Sequence, residues 1–128
     1  MNLNEEIEKI LIDIDYKIEV INDLMYLFIE KNSDLYKVLL TLKNASFEIL
    51  IDCFAVTLMD SNGYVIYYHL ISYKYNQSIC VYINVINRII QSIINIFSNA
   101  NWYEREIYEM YNINFTGHKN IKKLFNNE

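Results

Sequence analysis

The sequence predicts an α+β fold: a small, mostly antiparallel sheet with helices packed on it, ending in a C-terminal helix and a short tail. Three observations carry this. Asp60-Ser61-Asn62-Gly63 lies between two apolar runs, and Asn-Gly in that setting is the strongest short-range hairpin signal. Leu35, Val38, Leu39 and Leu42 recur at helical spacing. Tyr103, Ile107, Met110 and Tyr111 do the same near the end of the chain, behind Asn101 as N-cap and Glu104 as its capping-box partner.

Taken in order, Asn2 with Glu5 opens a helix, and Ile7, Ile10, Leu11 and Ile14 keep its spacing. From Ile10 the pattern also alternates, so Tyr16–Ile21 reads as a strand or as the continuation of the helix. In the first case Asn22-Asp23 is a tight turn and Leu24–Ile29 the returning strand. Ser33 or Asp34 caps the next helix, which keeps Lys37 and Lys43 outside and stops near Asn44. Phe47–Met59 reads as a buried strand bent near Cys53, Tyr64–Tyr73 as its hairpin partner and Ser78–Asn84 as a third strand after a turn at Lys74–Gln77. Val85–Ile96 is ambiguous. Ile86, Ile89, Ile90, Ile93 and Ile94 have helical spacing, while their β-branched crowding disfavours a helix. Asn112 suits the left-handed residue that ends the last helix, with Ile113 packing back on it.

Composition bounds the function. One domain, residues 1–128, is long enough to bury a core. Proline is absent and glycine occurs only at Gly63 and Gly117, so turns rely on Asn, Asp and Ser. The wealth of Ile, Asn, Tyr and Lys fits an AT-rich coding sequence, organellar or endosymbiotic. A net charge of −5 argues against general nucleic-acid binding, with Lys119, Lys122 and Lys123 the local exception. Cys53 and Cys80 lack ligand spacing and read as free core thiols. The acidic N-terminus reads as neither signal nor transit peptide, and the longest apolar run is broken by Glu48 and Asp52. Membrane association is therefore expected only through partners.

Glu104, Arg105, Glu106 and Glu109 form the densest polar cluster. It reads as a solvated helix face with an Arg105–Glu109 pair, or as carboxylates for acid–base or metal chemistry. Trp102 reads as a core or interface anchor. His69 reads as a satisfied structural histidine; His118 is a surface residue, a metal ligand or a partner contact. Phosphate-binding and nucleophile motifs are absent. These residues define a small binding or structural domain and give no enzyme signature.

A-N-W-Y-E-R-E-I-Y-E-M-Y at Ala100–Tyr111 resembles the pattern A-N-W-[YFL]-E-R-E-[VI]-[YW]-D-[ML]-[FY] of the thirty-kilodalton subunit family of respiratory complex I, also called the C-type subunit or NADH dehydrogenase subunit 9. N-I-N-F-T-G-H-K-N-I-K-K-L-F continues it, and F-E-I-L-I-D-C-F-A-V and Y-Y-H-L-I-S resemble upstream family segments. The resemblance runs from Phe47 onward. Departures are Asn112 for a glycine; Gln91, Ser98 and Lys119 for prolines; Thr57 for an aspartate; and Lys122 and Lys123 for arginines, which keeps charge and loses bidentate geometry. The sequence stops at Glu128, where the family continues into a Gly-His-Pro-Leu-Arg-Lys-Asp-Phe-Pro tail, so a domain truncated at its C-terminus is expected.

The resemblance implies a peripheral-arm subunit with no catalytic residues, assisting electron transfer from NADH to ubiquinone and proton translocation. It implies no bound cofactor or metal, with NADH, flavin, iron–sulfur clusters and quinone on partner subunits. It implies docking against the D-type subunit, which forms the quinone site, and the B-type subunit, which holds the terminal iron–sulfur cluster. Other peripheral-arm subunits join them, and no nucleic acid does. Trp102, Tyr103, Glu104, Arg105, Glu106, Tyr108, Glu109, Phe115 and His118 would form the interface. The location implied is the matrix side of the mitochondrial inner membrane, or the cytoplasmic face of a bacterial one. The alternatives are the homologous subunit of a plastid or hydrogenase-type membrane complex, and a free-standing domain whose Lys119–Lys123 tail binds nucleic acid.

Overall fold

The computed structural model describes residues 3–59 and 63–118, the side chains of residues 3 and 4 excepted. Asn2, the Asp60–Asn62 turn and the Lys119–Lys123 tail lie outside them. Helix α1, Leu3–Ile10, buries Ile7. Strands β1 (Tyr16–Ile21) and β2 (Leu24–Ile29) then form the hairpin, paired from Tyr16↔Ile29 to Ile21↔Leu24. Period-two alternation prevails over a longer helix because β2 buries every second residue, Met25, Leu27 and Ile29. Asn22 and Asp23 have φ of 51° and 66°, the left-handed pair that a two-residue hairpin loop requires.

A single 3-10 turn, Asn32–Asp34, leads into α2, Leu35–Asn44. Neither Ser33 nor Asp34 caps through its side chain; Asp34 occupies the N-cap position without a capping hydrogen bond. The expected stripe of Leu35, Val38, Leu39 and Leu42 is fully buried. The helix stops at Asn44, but the left-handed residue is Ser46, at φ 81°. Phe47 N–H donates to Leu42 O at 2.9 Å and Ser46 N–H to Lys43 O at 3.1 Å. This is a Schellman closure, with Phe47 folding back on the last turn.

Strands β3 (Ile49–Leu58), β4 (Gly63–Ser72) and β5 (Gln77–Val85) form the expected antiparallel meander. The sheet order is β1-β2-β5-β4-β3, so β2 lies parallel to β5, with Met25 opposite Ile79. Local patterning carries no signal for that pairing. β3 is an edge strand, and Phe54, Val56 and Leu58 are exposed, which corrects its reading as a buried strand. The bend falls at a register shift between Leu50 and Asp52, just ahead of Cys53.

One face of the sheet carries the core: Leu27, Ile29, Ile66, Tyr68, Leu70, Ile79, Val81 and Ile83 cluster with buried residues of the helices. The other face carries a row of aromatic rings across four strands. Phe28 lies 5.1 Å from Tyr82, Tyr82 5.2 Å from Tyr67, and Tyr67 5.1 Å from Phe54. Residues 85–96 do not form a helix. Asn87 and Arg88, both left-handed, turn the chain into the short strand β6, Ile89–Gln91. β6 pairs in parallel with β7, Asn114–Thr116, and Ile90 and Ile93 enter the core. Crowded β-branched side chains fit that extended path better than a helix.

Candidate functional site: helix α3 and the carboxylate beneath it

Two successive turns feed the last helix. Phe97 N–H donates to Ile93 O at 3.0 Å and Ala100 N–H to Phe97 O at 3.0 Å. α3 spans Ala100–Tyr111 with Asn99, not Asn101, at the N-cap position. The Asn99 side chain does not cap; its Nδ2 donates to Leu50 O on β3 at 2.7 Å. The earlier start places Glu104 more than a turn inside the helix, where no capping box can form. It also sets the inward face to Ala100, Glu104 and Ile107. Met110, expected on that face, is 69% exposed. The left-handed end at Asn112 (φ 58°) and the buried Ile113 follow the sequence expectation.

Glu104 is 0% exposed, the opposite of a solvated charge. Ser92 Oγ donates to Glu104 Oε1 at 2.6 Å and Ile93 N–H to Oε2 at 2.8 Å. His118 Nε2 stands 4.0 Å from Oε1 and 3.2 Å from Asn101 O. Loss of solvent pushes the Glu104 carboxyl up to about 7, and the bonds from Ser92 and Ile93 partly oppose that rise. The carboxylate therefore ties α3 to the 92–93 turn. Its holder, Ser92, escaped the sequence reading; the signal was a small hydroxyl residue inside the isoleucine-rich run 89–96.

Tyr68 and Cys53 lie in the same interior. Burial pushes the Tyr68 hydroxyl well up, with Cys53 and Glu104 adding to it. Burial likewise raises the Cys53 thiol well above its usual range, with Glu104 contributing. Cys80 is pushed up to about 11, mainly by burial. Both cysteines are free and neither is poised as a thiolate. Among the described residues no three His, Cys, Asp or Glu side chains are grouped to hold a metal.

The other residues that the resemblance implied for an interface divide by position. Glu104, Phe115 and His118 are buried within the chain, so a surface position for His118 is corrected. Trp102 is 60% exposed, and Glu106 and Glu109 are exposed with it. Tyr103, Arg105 and Tyr108 are half-buried along the flanks of the helix. Tyr103 Oη donates to Ile51 O at 2.9 Å, which seals α3 to β3. Among the described residues Arg105 makes no ion pair with Glu109, and its Nε is buried without a partner. His69 Nε2 is likewise buried without a partner, in place of the satisfied histidine expected. Between α3 and β3 runs a groove of about 210 Å³, floored by Cys53, Ala55, Ile107 and Tyr111 and rimmed by Asp52, Glu106 and Met110.

This α+β fold is shared with solved structures. The trypsin-resistant fragment of Nqo5 superposes with a TM-score of 0.79 at 19% identity, covering 92% of this chain and 98% of that one. A chain of the membrane-bound sulfane sulfur reductase, an archaeal respiratory membrane complex, superposes with a TM-score of 0.78 at 16% identity, covering 90% of this chain and 69% of that one. The family follows from sequence. Residues 28–128 match the model of the respiratory-chain NADH dehydrogenase 30 Kd subunit, and the chain belongs to that family. Among similar curated relatives is the NADH-quinone oxidoreductase C/D subunit of Blochmanniella pennsylvanica, 34% identical over 68 residues, covering 52% of this chain and 11% of that protein. Its counterpart in Cronobacter sakazakii is 40% identical over 63 residues, covering 46% of this chain and 10% of that protein. The chain thus spans about a tenth of the length of these relatives.

Proposed function

We propose that the chain is a cofactor-free scaffold subunit of a respiratory NADH:quinone oxidoreductase, holding the quinone-site module through the outward face of α3. The observation that carries this reading is the contrast within one helix. Glu104 is spent inside the protein, while Trp102, Glu106, Glu109 and Met110 are held outward on the same rigid element. An exposed tryptophan beside a methionine and half-buried Tyr103 and Arg105 is the composition of an interface anchor. The C/D naming of the bacterial relatives supports the D-type, quinone-site subunit as the surface it meets. No described helix is long and apolar enough to cross a membrane, so membrane attachment would come through those partners. The bacterial relatives favour a bacterial membrane complex, with the mitochondrial inner membrane as the alternative setting.

The test is replacement of Arg105 and of Trp102 by alanine, singly, in the assembled complex. Each variant should lower the amount of assembled complex several-fold, as loss of an anchor worth about 2 kcal/mol does, and leave turnover per assembled complex unchanged. Normal assembly with specific loss of electron transfer would sink the scaffold role. The fold shared with the sulfane sulfur reductase complex favours a second reading, the equivalent subunit of a membrane complex with another electron donor. The proteins that co-purify from detergent-solubilised membranes separate the two.

A further inference from the structure

We infer that the groove between β3 and α3 receives an extended, basic segment of a neighbouring subunit, which adds as a strand to the free edge of β3. The inference rests on the reading above, that the chain works inside a multi-subunit complex. β3 ends the sheet, so every second residue of it turns a backbone N–H and C=O away from β4.

α3 satisfies only the first part of that edge. Asn99 Nδ2 takes Leu50 O, Tyr103 Oη takes Ile51 O, and the Cys53 N–H turns to its neighbour's Asp52 Oδ1 at 2.8 Å. From Phe54 to Leu58 no side chain of the described residues bonds the edge. The devices that blunt this edge, the register shift at Leu50–Asp52 and the charge of Asp52, all lie before Phe54, and ILIDCFAVTL holds neither lysine nor proline. At the opposite edge, β1 carries Lys17 and Glu19.

The groove beside this edge states what it accepts. Its floor of Cys53, Ala55 and Ile107 is apolar, and its volume of about 210 Å³ suits apolar side chains from a partner strand. Its rim is acidic. Asp52 and Glu106 stand on opposite walls, and neither pairs with a cation among the described residues. Burial pushes the Tyr103 hydroxyl up, and the charges of Asp52 and Glu106 add to that rise. Two unpaired carboxylates over an apolar floor select a segment that alternates apolar residues with Lys or Arg.

The test places a photo-crosslinking residue at Met110, exposed on the rim, in the full chain within its complex. The expected product joins position 110 to one extended, Lys/Arg-bearing segment of a neighbouring subunit. Asp52→Lys, on the β3 wall and away from the outward face of α3, should cut its yield about tenfold while the chain still assembles. Capture of a second copy of this chain, capture of a helix, or an unchanged yield in Asp52→Lys would each overturn the inference. A parallel titration of the isolated chain with a synthetic Val-Lys alternating peptide should shift the amide resonances of residues 54–58. A chain that takes the peptide there but stays outside the complex overturns the scaffold reading alone. A chain that assembles but neither crosslinks nor takes the peptide overturns this one.

Discussion

Replacing Glu104 with alanine is expected to destabilise the chain by about 3–5 kcal/mol, more than any other change on α3. The variant strands the buried Ser92 hydroxyl and the Ile93 N–H without their acceptor and leaves a void under α3. Denaturant titration of the full chain measures it; a loss below about 1 kcal/mol, the net worth of a single hydrogen bond, would mean the carboxylate holds nothing. Glu104 also gives stability a pH dependence whose sign is unusual for a carboxylate. Its carboxyl is raised from 4.5 to about 7 in the folded state, so the native protein holds a proton that the unfolded chain releases. The stabilising contribution is complete below 4.5 and declines as pH rises through 7, by on the order of 3 kcal/mol in all. Glu104→Gln removes the titration, so its stability should run flat across the same window apart from other groups. Wild-type stability rising from about pH 5 to about pH 7.5 would contradict the burial of this group.

The second large effect is expected at Phe47→Ala, a loss of roughly 3–5 kcal/mol. Phe47 is 2% exposed, closes the Schellman turn over Leu42 and stacks on Tyr75 with ring centroids 6.1 Å apart. Its truncation opens a cavity where α2, β3 and the β4–β5 turn meet, and Ser46 then keeps its left-handed strain without the packing that offsets it. Thermal unfolding reads this directly. Phe47→Leu, which keeps most of the volume, should recover more than half of the loss.

How much of this was legible beforehand differs by element. The α2 stripe and the β3–β5 meander were readable because each rests on local periodicity and turn chemistry, whereas the β1–β2 hairpin was one of two readings that the pattern from Ile10 allowed. The 85–96 segment stayed open because its isoleucines satisfy helical spacing and strand preference together, and only the left-handed Asn87-Arg88 pair decides between them. Glu104 and Glu106 show the limit at the site. Two residues apart in the E-R-E motif, they read alike as an exposed charge face and as partner contacts. One is locked to Ser92 inside the core and the other rims an open groove. Spacing within a helix fixes which residues share a face; which face turns inward is set by segments far along the chain, here residues 92–93 and 118.

The parallel pairing of β2 with β5 has a consequence for how the molecule comes together in time. The hairpin of residues 16–29 can zip on its own, as can the meander, but joining them requires Met25 to find Ile79 across all of α2, β3 and β4. That closure costs chain entropy before any contact repays it, so it is the slow step of assembly. In native-state hydrogen exchange the β1 and β2 amides should open as one unit at lower free energy than those of β4 and β5. The sheet is continuous in space and built from two halves in time.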